Sequence, residues 1–179
     1  MTDRRIAKTR RALRDALLTL MAEHGWDELN VQDLCDMANV GRSTFYLHYQ
    51  SKEDLLSESL NDLRLVLGSG DAGARGVHQS MAFLGGLLAH MVENRRLFKS
   101  VVGRRSGHAV ERRFRDMVTQ LVDDDLCGLT MEQIRKKMVA RSLSGAIVDL
   151  MSWWVDTSDE VPVMVLENFL RDLAQSQLK

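Results

Sequence analysis

Two short helix-forming stretches between Val31 and His48 are separated only by Asn39-Val40-Gly41, and this spacing constrains the fold more than any other feature. Asparagine, a small apolar residue and glycine make a tight turn, not a continuous helix. Asn30 stands as the N-cap of the first stretch, with Asp33 supporting its first turn. Leu34, Met37 and Ala38 give that stretch an apolar face, Val40 fills the turn, and Phe45 faces back into the small core. What remains outward on the second stretch, Arg42 to Leu47, is Arg42, Ser43, Thr44, Tyr46 and His48.

The flanks are helical too. Ile6, Leu13, Leu17, Leu20 and Met21 share a face at helical spacing over residues 4–23, and Gly25 is placed for a left-handed cap. Ser51-Lys52-Glu53-Asp54 reads as a capping-box-like start to a helix carrying Leu55, Leu56, Leu60, Leu63 and Leu67. Four glycines in the nine residues from Gly68 to Gly76 cannot hold a helix, so the domain boundary is expected there. Beyond it, residues 78–92, 94–102 and 108–126 read as helices, with a break at Gly103–Gly107. A long helix is expected from Thr130, with Ile134, Met138, Ile147, Leu150, Met151 and Trp154 near one stripe, ending at Thr157–Glu160. The one proline in 179 residues, Pro162, falls near the first turn of a last helix, where proline is tolerated. The expectation is an all-α chain of about nine helices.

Hydrogen-bonding groups on a short, narrow helix have the form that a DNA major groove admits. The net charge of −1 is no sign of a purely electrostatic nucleic-acid binder, but it conceals a local patch. Arg4, Arg5, Lys8, Arg10, Arg11 and Arg14 place six basic residues within eleven, with no acidic one among them. Lys52, beside a helix N-terminus, reads as a phosphate contact.

The run Val-Gly-Arg-Ser-Thr-Phe-Tyr-Leu-His-Tyr-Gln-Ser-Lys-Glu-Asp-Leu, residues 40–55, resembles the signature of TetR-family regulators, and the resemblance extends over residues 5–60. It implies a three-helix DNA-binding domain over residues 1–50 and a connecting helix over 51–67. A glycine-rich loop over 68–77 and an effector-sensing and dimerisation domain over 78–179 follow. By position, the resemblance puts Gln32, Arg42, Ser43, Thr44, Tyr46, His48, Tyr49 and Lys52 toward DNA, with Arg4 and Arg5 beside them. Arg42 is the residue expected to read a base, guanine by its chemistry. Gly41 stands where relatives often carry serine, which weakens the N-cap of this helix.

In the second half the resemblance is one of layout. It implies a homodimer whose last two helices pair across a two-fold axis, reading half-sites about 34–36 Å apart or a multiple of that. Ser142, Gly145 and Ala146 would let helices approach closely, and Trp153, Leu166, Phe169, Leu170 and Leu173 are further candidates for that interface. Met81, Phe83, Leu87, Met91, Phe98, Phe114, Met117, Met138, Met151 and Trp154 are candidates for a ligand pocket, or plain core. A repressor released by a small-molecule effector is the expected function. The alternative gives the C-terminal half to a partner protein, docked through the arginine-rich stretch from Arg95 to Arg115.

Enzymatic activity has no support, because no nucleophile–base pair or phosphate loop is visible. No metal spacing and no cofactor motif is present. The longest apolar stretch, Phe83–Val92, is too short to span a bilayer, and Cys35 and Cys127 lack paired spacing. A cytoplasmic protein with free thiols is expected.

Overall fold

A computed structural model of the chain describes residues 2–68, 81–101, 108–157 and 161–178. The expected boundary loop beyond Gly68, the break at Gly103–Gly107 and the helix end at residues 158–160 lie outside them. Every regular element among the described residues is a helix. In chain order these are α1 (Thr2–His24), α2 (Val31–Ala38), α3 (Arg42–His48), α4 (Lys52–Gly68), α5 (Phe83–Glu93), α6 (Arg95–Val101), α7 (His108–Leu126), α8 (Gln133–Thr157) and α9 (Val163–Leu178).

Local chemistry sets the ends of the first four. Gly25 adopts φ +80° and donates its N–H to the Met21 carbonyl at 3.1 Å, closing α1 in a conformation that glycine adopts without strain. Asn30 Oδ1 accepts from the N–H groups of Gln32 at 2.8 Å and Asp33 at 3.1 Å, while Asp33 accepts from Asn30 N–H at 3.0 Å. This reciprocal box satisfies donors that the first turn of α2 would otherwise leave open. Asn39 ends α2 in the left-handed region, at φ 51° and ψ 49°. Leu34 and Cys35 are buried, and Met37, expected inward, is 45% exposed. The buried face is centred between Leu34 and Cys35, and at 100° per residue this turns Met37 past its edge.

Lys52, in the first turn of α4, reaches back across the head. Its ammonium donates to the carbonyls of Trp26 at 2.9 Å and Leu29 at 2.6 Å, and lies 4.4 Å from the centre of the Trp26 ring. The loop between α1 and α2 is thereby tied to α4. Asp54 N–H donates to Ser51 Oγ at 3.3 Å, and the Asp54 carboxylate accepts from Gln50 N–H at 3.2 Å.

The second half packs around α7 and α8, which lie along one another. α9 covers α8 and α5, α4 lies on α1, α5 and α7, and α6 touches both α8 and α1. The head formed by α1–α3 and the second half thus share two seams, one through α4 and one through α6.

Two expectations change here. The helix expected over residues 78–92 begins only at Phe83 among the described residues. Met81 takes φ 65°, its N–H donates to Asp125 at 2.8 Å and its carbonyl accepts from Arg171 at 3.2 Å. Those bonds and a fully buried side chain hold a backbone state that costs a non-glycine residue about 1 kcal/mol. In α8, Ile134 and Met138 leave the expected buried stripe and face outward, because the inward face begins only at Val139.

If Lys52 holds the loop to α4, Lys52→Met should lower stability by about 2 kcal/mol through two unpaired carbonyls and a lost ammonium–ring contact. Urea unfolding would read this as a lower midpoint at unchanged slope. An unchanged midpoint would contradict it.

Candidate nucleic-acid interface

Phe45 anchors α3, with its side chain wholly buried and its ring 5.4 Å from Tyr46 and 5.8 Å from Tyr49. With that residue inward, Arg42, Ser43, Tyr46 and Leu47 are exposed, and Thr44 and His48 lie half-buried on the flanks. Gly41 gives α3 no side-chain cap, as its identity implied. The exposed face keeps the hydrogen-bonding groups expected of it and adds one apolar side chain, Leu47, at 81% exposure. Helical phase accounts for Leu47, since a residue two places from the buried Phe45 points about 200° away from it.

Tyr49 and Lys52 have other work. The Tyr49 ring is buried, and its hydroxyl donates to Glu58 Oε1 at 2.9 Å. Burial, and then the Glu58 carboxylate, push this phenol far above its ordinary pKa. The Arg10 guanidinium sits 5.9 Å from the Tyr49 ring centre and 3.5 Å from Glu58. Arg14 pairs with Asp62. Tyr49 is therefore a joint between α1, α3 and α4, and Lys52 spends its hydrogen bonds on the α1–α2 loop. Both position the interface without facing outward from it.

Arg4, Arg5, Lys8 and Arg11 are exposed along the start of α1 and form no ion pair among the described residues. Gln32 is exposed on α2, where its amide donates to Asp36 at 2.7 Å. The head thus brings a short polar helix and a helical row of free cations onto one small unit.

The second half distributes its candidates differently from the expectation. Met81, Phe83, Leu87, Met91, Phe98, Phe114, Met117, Met151 and Trp154 are buried in a packed core, where Phe98 and Phe114 meet edge to face at 5.6 Å. Met138, by contrast, is 66% exposed. A groove of about 520 Å³ opens elsewhere, between α4 and α5, and Phe83 is its one wall residue from the expected set. Of the interface candidates, Leu166 and Leu170 are buried within the protomer, Leu173, Gly145 and Ala146 are half-buried, and Ser142, Trp153 and Phe169 are exposed.

The second basic cluster is divided: Arg96, Lys99 and Arg112 are exposed, while Arg95, Arg113 and Arg115 are engaged within the protomer. Arg95 lies 4.7 Å from the Trp154 ring centre and donates to the Val155 carbonyl at 3.3 Å. Arg113 donates to Ser57 at 3.3 Å, and Arg115 pairs with Glu111 at 2.9 Å. Arg104 and Arg105 lie outside the described residues. No helix among the described residues is long and apolar enough to cross a membrane.

The segment just described matches the family model for "Bacterial regulatory proteins, tetR family" over residues 13–58. A protein of Bacillus subtilis (strain 168), described as "Uncharacterized HTH-type transcriptional regulator YxbF", is 27% identical over 187 residues. That alignment covers 99% of this chain and 47% of the other, so the chain spans about half the length of the curated relative it matches. The solved structure of a TetR transcriptional regulator from Streptococcus agalactiae 2603V is 27% identical, with 97% of each chain covered and a TM-score of 0.72. The transcriptional regulator FadR from Bacillus subtilis, solved in complex with stearoyl-CoA, shares the fold at 17% identity and a TM-score of 0.70, with 94% of this chain and 99% of that one covered. Residues 13–58 thus carry the helix-turn-helix of the tetR family of bacterial regulatory proteins, and over its length the chain is similar in sequence and fold to TetR-type transcriptional regulators.

Proposed function

We propose that this chain represses transcription by binding a palindromic operator as a homodimer, and that a small molecule in the C-terminal half releases it. The observation that carries the reading is the outward face of α3 beside the unpaired cations of α1. Residues 1–50 form the DNA-reading unit, 51–67 the connecting helix, and 78–179 the dimerising and sensing unit.

Within that unit, Arg42 reads guanine through its paired donors, and Ser43, Thr44, Tyr46 and His48 contact neighbouring bases and phosphates. Leu47 packs on a thymine methyl, the one apolar group that the major groove offers. Arg4 and Arg5 neutralise phosphate, and Gln32 contacts the backbone beside α2. Tyr49 and Lys52 hold these groups in place.

Dimerisation is supported by apolar side chains that the protomer leaves uncovered. Ile134, Met138 and Trp153 are exposed on α8, and Met164, Val165 and Phe169 on α9, which packs against it. Ser142, Gly145 and Ala146 lie on the same helix with small side chains that permit close approach. An isologous pairing of two such surfaces would form a four-helix bundle.

Effector control is supported by the groove on α4, the helix whose Glu58 and Asp62 hold Arg10 and Arg14 of α1. A ligand that displaces α4 would move α1, and with it the separation of the two α3 helices. The stearoyl-CoA complex of the Bacillus subtilis neighbour is an instance of this fold holding a small molecule. For docking of a partner protein the same stretch offers only Arg96, Lys99 and Arg112 as exposed cations among the described residues, since Arg95, Arg113 and Arg115 are engaged within the protomer.

Arg42→Ala should cost about 1–3 kcal/mol of specific binding and relax preference at one operator position, whereas Arg5→Ala should weaken all sequences alike and lower the salt slope by about one. Lys52→Met should leave that slope unchanged. Anisotropy titrations at several salt concentrations separate these outcomes, and an Arg42→Ala protein with unaltered preference would remove α3 from the groove. Replacing the contacted thymine by deoxyuridine should weaken wild-type binding about threefold, in line with burial of one methyl group, and leave Leu47→Ala unaffected. Equal losses in both proteins would exclude the Leu47 contact. Phe169→Asp should shift the chain from dimer to monomer in gel filtration. Unchanged elution would place the dimer interface elsewhere.

A further inference from the structure

We infer that the groove between α4 and α5 is a binding site for a lipophilic monocation, its apolar body against the two helices and its charge beside Glu93. The inference rests on the reading above that a small molecule controls this protein. It goes further by fixing the seat and the charge of that molecule.

The walls are apolar. Leu63 and Leu67 face the groove from α4, and Phe83 and Gly86 from α5. Gly86 keeps the two helices close, since a Cβ there would meet Leu67 Cδ2 at 3.1 Å. The volume of about 520 Å³ falls within the range that drug-sized ligands occupy.

The polar groups on the lining decide the ligand's charge. Arg171 donates to Glu167 at 3.0 and 2.8 Å and to the Met81 carbonyl at 3.2 Å, so its charge is already matched. His90 is half-buried, and burial lowers its pKa, which keeps the ring neutral near pH 7. Its Nδ1 lies 3.2 Å from the Asn94 amide nitrogen, which also donates to the His90 carbonyl at 3.0 Å. That amide suits a ring with a bare Nδ1 and would oppose a second ring proton. Glu93 is the remaining charged group on the lining and has no ion-pair partner among the described residues. It is also the last residue of α5, where unpaired helix carbonyls add negative potential. A cation entering the groove finds both. An anion finds Glu93 against it and the one arginine already held.

Occupancy has a route to the head. Leu63 follows Asp62 on α4, and Asp62 and Glu58 pair with Arg14 and Arg10 of α1.

Tetraphenylphosphonium and tetraphenylborate test this directly, because they share a shape and differ in the sign of the charge. In calorimetric titrations of the full chain, the phosphonium should bind at least tenfold more tightly than the borate. Glu93→Gln should weaken the phosphonium about fivefold, the scale of a partly exposed charge pair, and narrow the gap between the two ions. Ala89→Trp, which places an indole in the groove from an exposed position, should abolish binding. If Ala89→Trp lowers the melting temperature, Glu93→Gln decides alone, since it alters an exposed, unpaired side chain. Absence of phosphonium binding, equal affinity for both ions, or indifference to Glu93→Gln would overturn the inference. A chain that binds operator DNA but not the phosphonium would lose this site and keep its regulatory reading. A chain that binds the phosphonium at Glu93 but no operator would keep the site and lose that reading.

Discussion

Tyr49 stands where α1, α3 and α4 meet, and the pose of α3 depends on it. Its ring packs beside Phe45, the one wholly buried residue of α3, and its hydroxyl is held by Glu58 of α4. Arg10 of α1 reaches both the ring and that carboxylate. A seven-residue helix has little stability of its own. It keeps a fixed orientation because its inner side is cemented to two longer helices. Lys52 completes the joint by fastening the α1–α2 loop to the start of α4.

This joint also explains how a signal could travel. Movement of α4 cannot leave α1 untouched while Glu58 and Asp62 hold Arg10 and Arg14. α6 offers a second seam to α1, and it is fastened to α8 by Arg95 stacking on Trp154. Methionines and phenylalanines are buried together at the described centre of the second half, and the groove lies apart from them at the α4 seam. A ligand bound there would act on the joint itself instead of through the core.

Much of the head was legible because its signals are local. Asn30, Gly25, Asn39-Val40-Gly41 and Ser51–Asp54 each govern their own backbone, and the structure shows the caps and turns their chemistry requires. Lys52 is the opposite case: its partners within the protomer are the carbonyls of Trp26 and Leu29, more than twenty residues away in sequence. Tyr49 was placed toward DNA by resemblance, while its contacts with Glu58 and Arg10 emerge only when three helices are assembled. In the second half, periodicity found the helices but not which of their faces were spoken for. Met138 and Met151 look alike in sequence, yet one is exposed and the other fully buried, since only the second falls on the stretch and face of α8 that its neighbours cover. The groove depends on Gly86 approaching Leu67, a contact between helices that no pattern within either one encodes.

The central claim is that two copies of this head read DNA together. Repeated selection of random duplexes by the purified chain, followed by sequencing, tests it most directly. The account predicts an enriched inverted repeat whose half-sites are centred about 10–10.5 base pairs apart, or a multiple of that, each containing guanine and thymine positions that tolerate little change. Enrichment of a single asymmetric site, or none above the starting pool, would contradict it.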